Sequence, residues 1–504
     1  TAALFKHKLS KPQQIEHALS RLTFGAKPGE VEAVTKLGLN KWIDQQLNPA
    51  SIAENPELES KLGLLPTLTL STEQLAIQYP TPQILAAIAS GRMKMPEDPA
   101  LKETYELLSQ RYKARIEAKG GTVPPRPPIA EVPRRRIGAL TTEQRAQALK
   151  RIAPQQAVSG ELTEAKIYRA VQSNRQLNEV LADFWFNHFN VFLDKGADKW
   201  LTTSYDRDAI RPNVLGHFSD LVKATAQSPA MLFYLDNWTS VAPEAGDRIR
   251  RVAPKARARG INENYARELM ELHTLGVDGG YTQKDVQEVA RCFTGWTIEE
   301  PNRGAKFRFA ERVHDKGEKL VLGVKIPAGG GIEDGLKVIE ILSAHPSTAK
   351  FISRKLAQRF VSDDPPQALI DRMAATFTKS SGDIKAVLRT MIQSPEFFSK
   401  GAYKAKMKSP FEMVAGALRS TNATLTNTLP AAQAIAGMGQ PLYRKQEPTG
   451  YSNNGEEWLN SAGLLARINF AVALSENKLQ GVTIDKDRYA ELAKSMGAPE
   501  WQRR

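Results

Sequence analysis

A helical spacing of apolar residues runs through almost the whole of this 504-residue chain and constrains its fold more than any other feature. Near the start, Ile15, Leu19 and Leu22 recur at intervals of four and three, and Val289 and Phe293 are again four apart. Such spacing places apolar side chains on one face of an amphipathic helix. We therefore expect a mainly α protein, built from many helices as one family unit.

Strict alternation of apolar and polar residues is confined to about residues 305–325. The segments 306–309 and 319–322 both alternate, which is the period of a half-buried β-strand. Together they predict one small β-hairpin around 305–325 that brackets His314-Asp315.

Composition changes most sharply in the segment 96–139. Residues 120–128 read Gly-Gly-Thr-Val-Pro-Pro-Arg-Pro-Pro, and proline removes backbone donors and favours extended, solvated chain. We divide the chain into an N-terminal helical region (1–95), a Pro/Arg-rich charged insertion or linker (96–139) and a helical core (140–504). Residues 118–137 are expected to be exposed and sensitive to proteases.

The net charge of +14 favours an anionic polymer or surface as a partner. Zinc-finger spacing and aromatic–glycine RNA-binding signatures are missing, so nucleic acid is not favoured. No run of about 18 apolar residues occurs, and a transmembrane segment is not predicted. The chain begins at Thr1 and has one cysteine, Cys292. Either a targeting peptide has been removed, leaving a periplasmic, surface or secreted protein, or the chain was trimmed.

Motifs for phosphate loops, dinucleotides, zinc proteases, serine hydrolases and c-type haem are missing from the sequence. What remains is polar residues in apolar surroundings. Asn187-His188 interrupts an aromatic run from Phe184 to Phe189. Burial of an imidazole and an amide requires hydrogen-bond partners, so the pair is either a satisfied core pair or part of a site.

Two helices expected next to each other carry most of the remaining charge. The first runs from about Asn262 to Leu275, and the second begins at Thr282 with a capping box to Asp285. Antiparallel packing would gather their carboxylates for metal binding or acid–base chemistry, unless they form a salt-bridged surface. The catalytic candidates are His188, Glu268, His273 and Asp285, and we expect them to converge with Asn187 in one partly buried polar pocket. The pocket-lining candidates are Asn187, Arg267, Glu271, Glu288, Arg291, His314 and Asp315.

These stretches resemble the bacterial domain-of-unknown-function family numbered 1800 (DUF1800). The resemblance is carried by residues 17–25, 183–189 and above all 262–296, with Thr449-Gly450-Tyr451 and Trp458 further on. The resemblance implies export. It also implies a companion, an exported sulfatase-like protein of the domain-of-unknown-function 1501 family that is often encoded beside the family member. It does not indicate which activity the protein has.

A weaker similarity is to haem peroxidases of the animal type. Residues 186–189 resemble their distal-histidine helix, and His345 would match the proximal haem ligand. Three functions stay open. The first is an extracytoplasmic enzyme with a His/carboxylate pocket, with or without a divalent metal, acting on an anionic envelope or extracellular substrate. The second is a haem-peroxidase-like oxidoreductase, and the third is a non-enzymatic assembly or surface-binding partner of the sulfatase-like protein.

Overall fold

The mainly α class predicted from the sequence is confirmed. A computed structural model describes residues 2–119, 142–252, 260–299 and 305–504. The structure is 61% helical, and 24 helices lie in the described ranges. Within those ranges, no helix has both the length and the hydropathy that a membrane crossing requires.

The α-helices of the described ranges are numbered in chain order. They are α1 Lys11–Leu22, α2 Glu30–Leu37, α3 Leu39–Gln46, α4 Pro56–Gly63, α5 Thr72–Gln78, α6 Pro82–Ala89, α7 Pro99–Lys119, α8 Thr142–Ile152, α9 Pro154–Gln172, α10 Gln176–His188, α11 Asp198–Ser204, α12 Phe218–Ala226, α13 Pro229–Tyr234, α14 Pro243–Val252, α15 Glu263–Glu268, α16 Gln283–Cys292, α17 Ile332–Ala344, α18 Pro346–Phe360, α19 Gln367–Lys379, α20 Ile384–Ile392, α21 Pro410–Ser420, α22 Leu429–Gly437, α23 Ser461–Ser475 and α24 Lys486–Ser495.

Two of these helices continue as π-helices. Helix α11 passes into Tyr205–Ile210, and α15 passes into Leu269–Thr274. The helix expected from about Asn262 to Leu275 is confirmed, but its second half has the π form. Thr274 Oγ1 donates to the backbone oxygen of Leu269, five residues earlier, at 2.7 Å. A π-turn inserts an extra residue into the helix and is frequent at functional sites.

The β-structure of the described ranges consists of three antiparallel two-stranded sheets. Their strands are β1 Trp296–Glu299, β2 Lys306–Phe309, β3 Lys319–Val321, β4 Val324–Ile326, β5 Thr424–Leu425 and β6 Val482–Thr483, paired in that order. The segments expected to form one hairpin belong to two sheets, because β2 pairs with β1 and β3 pairs with β4. Leu322 and Gly323 join β3 to β4 with φ of 49° and 79°. Positive φ at both positions is typical of a two-residue hairpin turn.

Helices from both ends of the chain share one core. Leu22 of α1 belongs to the same buried cluster as Trp185 of α10 and Met413 of α21. Arg21 is wholly buried and donates to the backbone oxygens of Val361, at 3.2 Å, and Ala402. The charged segment after residue 96 forms α7, whereas the proline-rich run lies outside the described residues, together with most of 118–137.

Candidate functional site

Two of the histidines selected from the sequence lie together in the core. His188 ends α10, and His273 lies in the π-helix that follows α15. Nε2 of His188 lies 3.0 Å from the backbone oxygen of His273, and the two ring centroids are 6.2 Å apart. Because a carbonyl oxygen only accepts, a neutral His188 carries its proton on Nε2 and a lone pair on Nδ1. Nδ1 of His188 and Nε2 of His273 have no hydrogen-bond partner among the described residues.

The environment of this histidine pair is aromatic and basic. The ring of Phe189 lies 4.6 Å from that of His188 and 5.0 Å from that of His273. Burial lowers the pKa of His188 well below its usual range and that of His273 to about 3, and the nearby Lys355 lowers both further. Burial also lowers the pKa of Lys355. Both imidazoles are therefore neutral at pH 7.

The charged residues Arg267, Glu268 and Glu271 precede His273 on the same continuous helix but do not contribute to the histidine pair. Glu271 accepts from the hydroxyl of Tyr281 at 3.3 Å, and Arg267 donates to Gln283 at 2.8 Å. Burial, followed by the neighbouring Glu271, raises the pKa of Glu268. This face is partly exposed, and among its described hydrogen bonds none joins it to the histidine pair.

Asp285 lies at the start of α16, where the predicted capping box with Thr282 is confirmed. Its Oδ2 accepts from the backbone N–H and the hydroxyl of Thr282 at 2.9 and 2.6 Å. Its Oδ1 accepts from the backbone N–H of Leu322 at 2.8 Å, and Glu288 accepts from that of Leu320 at 2.8 Å. These carboxylates thus join α16 to the β3–β4 hairpin.

His314 and Asp315 belong to an ion-pair network on the same hairpin. Arg291 donates to both carboxylate oxygens of Asp315 at 2.9 and 3.0 Å. Nε2 of His314 and Nζ of Lys319 lie 3.1 and 2.6 Å from the same oxygen of Asp334. The arginine and lysine therefore balance the carboxylates gathered here.

His345 precedes α18 as its N-cap. Its Nδ1 accepts from the backbone N–H of Ser347 at 3.1 Å, which satisfies one of the free donors at the start of a helix. Asn187, the neighbour of His188 in the chain, makes its hydrogen bonds with Tyr451 and not with the histidine pair.

Asn187 and Asn190 hold a distant loop against the end of α10. Nδ2 of Asn187 donates to the backbone oxygen of Tyr451 at 2.8 Å, and its Oδ1 accepts from the Tyr451 N–H at 2.7 Å. Nδ2 of Asn190 donates to the backbone oxygens of Lys445 and Glu447, both at 2.9 Å. We call residues 440–454 the cleft loop, because a cleft opens between it and α10.

The cleft is lined by cationic side chains from four parts of the chain. They are Lys166 of α9, Arg359 of α18, Lys406 and Arg504, and all four are buried. Each is close to a carboxylate. Lys166 lies 2.6 Å from Asp183, which also lines the cleft.

Glu412, at the start of α21, is the carboxylate around which most of these charges gather. It pairs with Arg359 and with Arg504, the latter at 2.8 Å. Lys406 pairs with Asp363 and donates to the backbone oxygen of Asn453 in the cleft loop.

Further cations lie behind the lining and act on the same two carboxylates. Six cationic side chains face Glu412 and Asp363 in the described part of the chain, namely Arg21, Arg359, Lys406, Lys408, Arg467 and Arg504. Burial lowers the pKa of Lys408 to about 7 and that of Arg21 to about 9. Burial is the first cause of both shifts, and the neighbouring Glu412 acts in the opposite direction.

The uncharged lining supplies amides, hydroxyls and aromatic rings. Gln440, Ser452 and Asn453 line the cleft with Tyr451 and Trp458, whose ring centroids are 5.9 Å apart. The free space inside is about 50 Å³. A water-sized group needs roughly 10–15 Å³ by this measure, so the cleft accepts a group of about four or five heavy atoms.

Among the residues that line the cleft, Asn187 was predicted from the sequence, whereas Lys166, Arg359, Lys406 and Glu412 were not. A signal for Glu412 was present, because α21 is buried along nearly its whole length and contains this carboxylate among apolar residues. A charge in an otherwise apolar helix requires a partner. The described residues contain no group of three or more His, Cys, Asp or Glu side chains suited to a metal ion.

The fold and the site define a helical protein with a buried, cation-rich cleft. A family model described as "Protein of unknown function (DUF1800)" matches residues 17–503, and the chain therefore belongs to the DUF1800 family. No curated protein and no solved structure matches the chain.

Proposed function

We propose that the protein binds an acidic saccharide and that the cleft takes its sulfate, phosphate or carboxylate group. The observation that supports this proposal is the excess of cationic side chains over Glu412 and Asp363 in and behind the cleft. A buried excess of positive charge lowers the free energy of an anion placed beside it.

The size and the remaining lining favour a group carried on a sugar. A space of about 50 Å³ holds the acidic group and excludes a pyranose ring, which would lie at the mouth of the cleft. Asn453, Ser452 and Tyr451 line the cleft and are partly exposed, so they supply polar groups for the sugar hydroxyls and an aromatic face. Acidic glycans are constituents of bacterial envelopes, which agrees with the export that the family resemblance implies.

The test is calorimetric titration of the protein with sulfated, phosphorylated, carboxylated and uncharged oligosaccharides of matched length. We expect binding of at least one acidic class and none of the uncharged class. Assay of the same mixtures for new reducing ends would show whether binding is accompanied by cleavage.

Arg359→Met is the informative variant, because it removes a lining guanidinium and leaves Glu412 paired with Arg504. We expect the affinity to fall by about tenfold or more, since a hydrogen bond to a charged group contributes about 1.5–3 kcal/mol. Arg372→Met is the matched control, because Arg372 pairs with Glu396 outside the cleft. Equal affinities of the two variants would contradict the proposal.

A second function, as an assembly partner, is favoured by one surface. Helix α23 exposes a row of apolar side chains, with exposed fractions of 38% for Leu464, 59% for Leu465, 47% for Ile468 and 43% for Val472. Contiguous apolar surface of this kind is typical of protein interfaces. Co-expression with the sulfatase-like protein, followed by co-purification, tests it, and Leu465→Lys with Ile468→Lys should abolish the complex.

A further inference from the structure

We infer that the side chains of Lys319 and Asp334 condense into an isopeptide bond, an amide between Lys319 Nζ and Asp334 Cγ, with His314 moving the proton. The bond is an internal covalent modification that joins β3 to the first turn of α17. Cys292 is the one cysteine of the 504 residues, so a disulfide cannot supply such a link within them. This inference is independent of the proposed function, because none of the three side chains lines the cleft.

The first argument is that the two reacting groups are in contact and shielded from water. Nζ of Lys319 lies 2.6 Å from Oδ2 of Asp334, and the two side chains are 0% and 4% exposed. Because Cγ is bonded to Oδ2, the amine is held beside the carbon that it would attack. Well-oriented groups held in this way react with effective molarities of roughly 10⁵–10⁸ M. The exclusion of water also protects the product from hydrolysis.

The second argument is a proton on the leaving oxygen. Nδ1 of His314 lies 2.7 Å from the backbone oxygen of Thr294, and a carbonyl oxygen only accepts, so this nitrogen carries a proton. A neutral His314 therefore presents a lone pair at Nε2, which lies 3.1 Å from Oδ2 of Asp334. Two acceptors at this distance need a proton between them. That proton makes Oδ2 a better leaving group than the oxygen of a free carboxylate.

The third argument is that both reacting groups are held in place. The Lys319 ammonium also donates to the backbone oxygen of Asp315, whose carboxylate lies 4.0 Å away and is bound by Arg291. Among the described residues, Asp334 is therefore the one carboxylate at hydrogen-bond distance from Lys319. Oδ1 of Asp334 packs against Gly330, where an added Cβ would lie 2.0 Å from it. The amine thus has one electrophile within reach.

The condensation balances without any further reactant. A proton passes from the Lys319 ammonium to Asp334 Oδ2, which leaves a neutral amine and a neutral acid. The amine attacks Cγ, and the N–C bond forms. His314 Nε2, which contacts the same oxygen as the amine, takes one proton from the attacking nitrogen and passes it to Oδ2. Oδ2 leaves as water when its bond to Cγ breaks, so an ammonium and a carboxylate become an amide and one water molecule.

The test is the intact mass of the denatured full chain. We expect it to be lower than the mass calculated from the sequence by the mass of one water molecule. Trypsin should release residues 317–325 and 326–337 as one linked species, without cleavage after Lys319. A mass equal to the calculated one would overturn the inference. So would a succinimide at Asp334-Gly335, which has the same mass but leaves the two peptides unlinked.

Variants assign the roles of the three side chains. Lys319→Arg retains the positive charge without a primary amine, so its mass should equal the calculated one. His314→Gln retains both reacting groups, and a positioned acid–base group contributes roughly 10²–10⁴-fold to a rate. We therefore expect mostly unlinked His314→Gln after an expression time in which the parent protein is fully linked. Complete linkage in His314→Gln would contradict the role of the histidine, and the mass of the parent protein decides the inference even where a variant fails to fold.

Lys166 and Asp183 are the matched internal control. Their charged atoms also lie 2.6 Å apart, but no histidine takes part in the described contacts of this pair. We expect no link between them in the peptide map of the same sample. A link between Lys166 and Asp183 would show that contact alone is sufficient, which would contradict the part assigned to His314.

Discussion

The side-chain amide of Asn187 forms two hydrogen bonds with the backbone of Tyr451, 264 residues further along the chain, through Nδ2 at 2.8 Å and Oδ1 at 2.7 Å. This pair fixes the cleft loop against the last turn of α10. The arrangement joins the aromatic core around Trp185 to the wall of the cleft, so the loop and the core are expected to respond together to changes at this position.

Replacement of Asn187 by alanine should loosen the cleft loop. Both Tyr451 backbone groups would lose their partner, at a cost of roughly 1–3 kcal/mol each if they stay shielded from water. We expect a lower free energy of unfolding by urea and weaker binding of acidic saccharides. Asn213→Ala is a suitable control, because the amide of Asn213 bonds within its own helical segment, to Ala209 at 2.8 Å. If Asn187→Ala bound saccharides with unchanged affinity, the position of the cleft loop would not contribute to binding in the cleft.

A second prediction uses a pair of glycines in the same loop region. Gly450 has φ of 70°, and a Cβ there would overlap the backbone oxygen of Asn187. Gly439 has φ of 100°, with nothing within 4 Å of an added Cβ. Gly439→Ala should cost about 1–2 kcal/mol through its backbone conformation alone, and Gly450→Ala should cost at least about 2 kcal/mol more. Urea denaturation of the two variants measures the difference, and equal costs would show that the contact with Asn187 is not tight.

The helical class and the burial of His188 among aromatic residues were predictable, because both depend on local pattern. The apolar spacing defines helices wherever it occurs, and polar residues in aromatic surroundings stand out in the sequence. That the two histidines lie near each other was also expected from the sequence, and their ring centroids are 6.2 Å apart. The orientation of the contact was not predictable, because it depends on the π-helix Leu269–Thr274. One additional residue in a helical turn leaves no mark in composition or periodicity.

The cleft was less predictable still. Its ion pairs join Lys166 to Asp183 and Arg504 to Glu412, so most of its charge comes from residues far apart in the chain. We expected Asp285 and Glu288 to join the carboxylates of the preceding helix, because the two helices were expected to pack against each other. In the structure they accept hydrogen bonds from the backbone of the β3–β4 hairpin. Local reasoning could not assign those partners, because the turn at Leu322 determines which backbone groups reach α16.

A third prediction concerns the carboxylate at the centre of the charge cluster. Glu412→Gln removes the negative charge between Arg359 and Arg504 and should lower the free energy of unfolding by roughly 3–5 kcal/mol. Sulfate should restore part of this loss by occupying the cleft, so sulfate should raise the melting temperature of the variant more than that of the parent protein. Sodium chloride at equal ionic strength controls for general salt effects.

Glu103→Gln is the matched control for this third prediction. Glu103 pairs with Arg151 at 2.6 Å, but both side chains are largely exposed, and such pairs contribute at most about 1 kcal/mol. The free energy of unfolding of Glu103→Gln should be nearly the same as that of the parent protein. Sulfate should raise the melting temperatures of these two proteins by the same amount. If sulfate stabilised all three proteins equally, the anion would not be acting at Glu412.

The last prediction is a loss of stability in acid that depends on the histidine pair. Burial and Lys355 lower the pKa of His273 to about 3 in the folded protein, whereas an unfolded histidine has a pKa of about 6.5. Between these values the unfolded chain binds a proton that the folded chain does not, so the free energy of unfolding falls as the pH falls. From pH 7 to pH 4.5 this group alone contributes a loss of about 2–3 kcal/mol. His188 has its pKa lowered by the same causes and acts in the same direction.

Urea midpoints at pH 7 and pH 4.5 should therefore lie closer together for His273→Gln than for the parent protein, whatever the carboxylates contribute to both. If the parent protein and His273→Gln lost the same free energy of unfolding between pH 7 and pH 4.5, His273 would be protonated in the folded state at pH 4.5, contrary to this prediction.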